Sequence, residues 1–250
     1  MPRKKPSELR CPTPNNPLLL IPAKADPERD AVAECWLRDR GEVLRLDRFW
    51  EPPELDRCRV RLYGPDTFCL VLAQKLDLQL VSPADDLLLN APIDLLGRNI
   101  RVLTLETIVR ESFPLFAKSL IPKLFRSRVY GSSQALLDEC QGLEPATPIL
   151  VSEPVQIRAE ARAFVLAQQV KTCAVYEGLA EAPWAFVGQA AGRLKLPVSC
   201  VLDAALLPEG WALLEANASW GAGLNGCDPA AVLDCIDLAT QNPEALAGGA

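Results

Sequence analysis

A chain of 250 residues, 49% hydrophobic and 23% charged with a net charge of −6, can build a sizeable core or two modest domains. It is too acidic for general binding to nucleic acid or to a membrane surface. It contains no histidine, which excludes Ser-His-Asp and Cys-His catalysis and every zinc site that uses imidazole.

Its nine cysteines form no C-x-x-C pair and read as small buried hydrophobes in a reducing, cytoplasmic setting. No apolar run reaches the roughly 18 residues that cross a bilayer. Residues 1–17 are basic but lack the apolar stretch of a secretory signal, and read as a flexible arm.

Residues 18–22 form a proline-bounded apolar strand, and Asp26-Pro27 is an N-cap followed by a first-turn proline. Apolar residues at helical spacing run to Gly41, and 42–46 reads as a second strand. This β-α-β start predicts a parallel sheet. A strand at 60–64, a helix at 67–76, a strand at 78–81, helical stretches from 85 to 96, and an extended 100–103 complete one small α/β unit, 18–104. No G-x-G-x-x-G follows any strand, so a dinucleotide fingerprint is absent.

The second half, 105–240, reads differently. A strand over 113–118 ends on Lys118, and the loop after it carries Lys123, Arg126 and Arg128, with a strand near 128–130. Four cations in eleven residues suit a polyphosphate or, equally, a solvated basic hairpin. Their mutual repulsion, with a proline, a glycine and two serines, predicts a mobile lid over 121–132. A helix over 133–140 and a strand from 148 follow. In 156–165 the residues Arg158, Glu160 and Arg162 share one face. A strand over 170–176, a helix over 183–194 and a last helix after Asp228-Pro229 follow, and 241–250 reads as a flexible tail.

Between those helices lies PVSCVLDAALLPEGWALLEANASWGAGLNG, two apolar strands around Pro208-Glu209-Gly210. With those three residues as the loop, Leu207 faces Trp211 and Asp203 faces Glu215. Asn217 then shares their face. Two half-buried carboxylates repel, and a hard cation such as Mg²⁺ would relieve both repulsion and burial. An ordinary solvent-facing strand side is the alternative, and a one-residue slip would send Asp203 to the other face.

The second half resembles the ATP-grasp fold, in the bacterial and phage clade named for two arginines and a lysine. The resemblance rests on FPLFAKS, KLFRSRVYG, ILVSEPV, EARAFVL, VLDAALL and WALLEANASWGAGLNGCDPAAVL, and spans about residues 100 to 236. It implies a mixed α/β and α+β chain, with a small Rossmann-like α/β domain preceding the ATP-grasp domain.

The resemblance also implies roles. Lys118 would contact ATP phosphates, with Lys123 and Arg128 nearby. Val151, Ser152, Glu153 and Val155 would lie beside the nucleotide, with Glu153 at the ribose. Arg162 would face the transferred phosphate or the carboxylate substrate, and Asp203, Glu215 and Asn217 would hold Mg²⁺. The implied activity is ADP-forming ligation of an unknown carboxylate (small molecule, peptide or protein tail) to an amine. A nucleotide-binding regulatory module and a phosphotransferase on a small acceptor are the alternatives.

Overall fold

A computed structural model of the protein describes residues 16–121 and 124–243, so most of the arm, most of the tail and Lys123 lie outside the described residues. Strands β1 (Leu18–Pro22), β2 (Glu42–Leu46) and β3 (Val60–Leu62) form the expected parallel sheet in the order β2-β1-β3. Helix α1 (Pro27–Asp39) starts where Asp26 accepts the Arg29 N–H at 3.0 Å, satisfying one of the first-turn donors. Helix α2 (Asp66–Leu76) ends at Asp77, which is left-handed at φ 52°.

The next strand, β4 (Gln79–Leu80), does not extend this sheet. It pairs antiparallel with β13 (Thr240–Gln241), at the far end of the chain. Residues 85–91, expected to be helical, are a run of turns in which the Asn90 side chain bonds back to Asp86. Only a single turn, α3 (Ile93–Leu96), forms after Pro92, and Gly97 closes it at φ 59°. Strand β5 (Arg101–Thr104) is hydrogen-bonded into the sheet of the second half, and α4 (Leu105–Ile108) follows through a Thr104–Thr107 capping box.

That second sheet has the order β5-β8-β6-β7, with β6 (Leu115–Ser119), β7 (Arg128–Tyr130) and β8 (Pro148–Ser152) all antiparallel to their neighbours. Helix α5 (Ser133–Glu139), capped by Ser132, covers one face together with α4. Leu105, Ile108, Tyr130, Leu136, Ile149 and Val151 make the core there.

The third sheet has the order β10-β9-β11-β12. Its strands are β9 (Ala159–Leu166), β10 (Gln169–Gly178), β11 (Ser199–Leu207) and β12 (Gly210–Asn217). Helix α6 (Trp184–Arg193) packs on one face, where Val187 and Ala190 meet Leu202 and Leu213. Helix α7 (Leu233–Asp237) returns to the first unit. Cys235 and Ile236 share a core with Leu19, Trp36 and Phe164, so the core of the first unit is completed by residues near the end of the chain. The helix expected after Asp228-Pro229 is confined to those five residues. No helix among the described residues is long and apolar enough to cross a membrane.

The acidic hairpin differs from its expected form in two places that cancel. Leu207 pairs with Gly210, not Trp211, so the loop is the two residues Pro208-Glu209. The ladder then runs one residue out of step until Leu214, an extra residue opposite the Asp203/Ala204 step, restores it. Asp203 therefore does face Glu215, through a bulge that also turns Leu213 away from the acids.

Candidate active site

The uncovered face of the second sheet looks across a cleft at the third. A cavity of about 280 Å³ lies between them, and a larger one of about 650 Å³ opens toward the first unit. Leu88, Lys118, Ser127, Leu150 and Glu215 line both, so the two spaces are one cleft with a shared waist.

The waist holds a charged cluster. Arg162 lies opposite Asp203 on neighbouring strands β9 and β11, and its Nε and one terminal nitrogen donate to the two Asp203 oxygens at 2.8 and 2.7 Å. The other terminal nitrogen donates to the Gly223 carbonyl at 3.0 Å. The Asn217 amide donates to Asp203 at 3.0 Å and to Glu215 at 2.9 Å. Lys118, from the second sheet, donates to the second Glu215 oxygen at 2.8 Å. Two cations thus offset two carboxylates at the waist.

Their environments push the two acids apart. Burial raises Asp203 above the usual carboxylate range, and the Arg162 guanidinium offsets only part of that. Burial also acts on Glu215, but Lys118, Asn217 and Arg162 together outweigh it and hold its carboxyl low. Arg162 is partly desolvated, yet its bond to Asp203 keeps it firmly charged.

Among the described residues no three histidine, cysteine, aspartate or glutamate side chains make a metal-ligating group. Two carboxylates and an amide oxygen on one face nevertheless fit Mg²⁺, which takes one or two carboxylates and completes its shell with phosphate and water. The Asn217 amide points its nitrogen at both acids, and a half-turn of that amide would present its oxygen.

The structure distributes the other expected residues unevenly. Ser152, Glu153 and Val155 line the smaller cavity, and Glu153 accepts the Asn99 N–H at 3.0 Å. The Val151 side chain does not line it. It lies against Ala117 and Ile149 on the helix-covered face, and its neighbours Leu150 and Ser152 face the cleft, because side chains alternate along β8. The same alternation removes Arg128. Val129 faces the cleft opposite Phe116, whereas Arg128 turns to Glu139 of α5 at 3.1 Å and stacks on the Tyr130 ring. Of the expected lid over 121–132, residues 122 and 123 lie outside the described residues, 128–130 pair with β6, and Phe125 and Tyr130 are buried.

Other lining residues carried no signal in the sequence. Arg98 is buried and donates to the carbonyls of Leu96, Leu213 and Leu214, which ties α3 to the bulge. Burial lowers its pKa, and the nearby Glu153 carboxylate offsets only part of that. Tyr176 donates to Glu160 at 2.5 Å in the smaller cavity, and burial followed by that carboxylate pushes the phenol up. Asp66, Ser82 and Asp85 of the first unit face the larger cavity.

The family that matches, over residues 95–235, is family 2 of the ATP-grasp domains in the clade named for two arginines and a lysine. Among solved structures, the RimK domain protein ATP-grasp from Sphaerobacter thermophilus DSM 20745 is 14% identical with a TM-score of 0.56, covering 88% of this chain and 98% of that one. The ATP-grasp ligase PsnB complexed with minimal precursor is 15% identical with a TM-score of 0.50, covering 84% of this chain and 93% of that one. At these identities the likeness is one of fold. No curated protein sequence matches the chain.

Proposed function

The chain belongs to the ATP-grasp domains, in family 2 of the two-arginine, one-lysine clade, and from that premise we propose that it is an ATP-dependent ligase joining a carboxylate to an amine through an acyl-phosphate. The observation that carries this reading is the cluster at the waist. Arg162, Asp203, Glu215, Asn217 and Lys118 meet where the smaller cavity joins the larger one.

In this reading the smaller cavity takes adenine and ribose, with Glu153 accepting from the ribose hydroxyls. Lys118 contacts the phosphates at the waist, and Asp203, Glu215 and Asn217 would hold Mg²⁺. Bound there, Mg²⁺ would offset charge on the phosphoryl group in transfer. Arg162 faces that group from the other side. A carboxylate oxygen of the substrate attacks the γ-phosphorus, and ADP leaves. An amine then attacks the resulting acyl carbon, phosphate leaves, and the amine proton passes to solvent. Neither step needs a protein nucleophile, in keeping with a chain without histidine. The larger cavity would hold the carboxylate and amine and keep water from the mixed anhydride.

The test is ADP release from Mg·ATP on adding pools of amino acids and peptides, with products identified by mass. ADP with an amide product supports ligation. ADP with a phosphorylated product would make the chain a phosphotransferase, and nucleotide binding without ADP under any pool would make it a regulatory module. Glu215→Gln should abolish ADP release while the protein stays folded.

A further inference from the structure

Arg162 owes its third hydrogen bond to a loop that another part of the chain holds in place. The Gly223 carbonyl accepts from Arg162, and the next two backbone N–H groups, of Leu224 and Asn225, donate to the two oxygens of Glu28 at 2.8 and 2.7 Å. Glu28 sits in the first turn of α1, on the first unit, and is half-buried. Asn225 is left-handed at φ 47°, which helps successive N–H groups converge on one carboxylate. A Cβ at Gly223 would come within 2.6 Å of the Glu28 carboxylate, so a larger residue there has to displace that side chain. The same loop is tied further back, where the buried Tyr63 hydroxyl donates to the Ala222 carbonyl at 3.0 Å.

We propose that Glu28 is a positioning residue for Arg162: by clamping the Leu224 and Asn225 N–H groups it fixes the Gly223 carbonyl on which the guanidinium rests. Both Asp203 oxygens are engaged by Arg162, so any ligand that recruits one of them leaves the guanidinium depending on Gly223. The clamp therefore matters most when the site is loaded, and it makes the first unit a contributor to phosphate handling. This inference rests on the ligase reading only in that Arg162 is taken to meet the γ-phosphate.

The test compares calorimetric affinities for Mg·ATP and Mg·ADP. Glu28→Ala should cut the preference for ATP over ADP about tenfold, a change that is easily resolved, and leave Mg·ADP binding as it was. Glu28→Gln keeps one acceptor oxygen and should lose less. The double variant with Arg162→Ala should be no worse than Arg162→Ala alone, because the two residues act in series. Gly223→Ala, whose methyl displaces the carboxylate, should reproduce Glu28→Ala and serves if Arg162→Ala does not fold. Without nucleotide, the Leu224 and Asn225 amide resonances should move upfield in both Glu28→Ala and Gly223→Ala.

An unchanged ATP-to-ADP ratio with a lowered Tm would make Glu28 merely structural and overturn the proposal, as would additive losses with Arg162→Ala. A gain in ATP affinity would overturn it too, by showing a carboxylate that blocks an anion site. If the native protein binds neither nucleotide, the ligase reading falls and this proposal with it. If it binds both and the variants match it, only this proposal falls.

Discussion

On one wall of the cleft, β9, β11 and β12 supply Arg162, Asp203, Glu215 and Asn217, four polar side chains bonded to one another. On the facing wall, β6, β7 and β8 supply Phe116, Val129, Leu150 and Ser152, and Lys118 is the charged group among their cleft-facing side chains. Arg128 of β7, by contrast, is turned outward onto an exposed pair with Glu139. The contrast shows where charge is held by burial and where by solvent. A buried carboxylate must be answered within the protein, whereas an exposed arginine already has water.

The largest expected effect tests that contrast directly. Arg162 and Asp203 are nearly buried, at 12% and 3% side-chain exposure, so Arg162→Ala leaves an unanswered acid and should cost about 3–5 kcal/mol. Arg128→Ala on the opposite sheet should stay within about 0.5 kcal/mol. Urea unfolding of the two variants reads the difference, and equal losses would erase the distinction between the walls.

Next is Arg98, which serves the charged wall from behind. Arg98→Ala strips partners from the Leu213 and Leu214 carbonyls at the bulge and should cost about 1–3 kcal/mol by the same measurement. Amide exchange should rise around 213–215 if the bulge is what loosens.

The Lys118–Glu215 pair, which bridges the walls, is more than a third exposed on both sides. Glu215→Gln should therefore change stability by less than about 1 kcal/mol, far below Arg162→Ala. Loss of ADP formation in a variant that still melts near the native temperature would separate function from folding at this position.

The smallest effect lies away from the cleft. A hydrogen bond from Arg193 of α6 holds the Asp94 carboxyl of α3 below its usual range. A depressed carboxylate adds stability above its unfolded pKa and loses it as pH falls through the folded pKa. Native protein and Arg193→Ala should thus differ slightly at neutral pH and converge in acid. A constant gap in the urea midpoint across that range would point to lost packing instead.

Much of the cluster is legible without coordinates. Asp203, Glu215 and Asn217 share a face because side chains alternate, and Arg158, Glu160 and Arg162 do so for the same reason; the structure puts Glu160 and Arg162 on the cleft. Alternation also contained the placements of Val151 and Arg128. Once Lys118 faces the cleft, the pairings Ala117 with Arg128 and Ala117 with Val151 put both on the far face. Those pairings are long-range, and no local pattern states them.

Composition, capping signals and period-two patterning determined the parallel start, the capped α1 and the turn-linked acidic hairpin, because each depends on residues close in the chain. The tertiary structure alone decided that β4 joins β13, that β5 joins the second sheet, and that Glu28 reaches the loop after Asn217. It also decided the hairpin's register. A two-residue turn and a bulge at Leu214 have the same net count as a three-residue turn without one. Local preference cannot choose between them. Packing can, since only the bulged form buries Leu213 against α3 and α6 while keeping Glu215 beside Asp203 in the cleft.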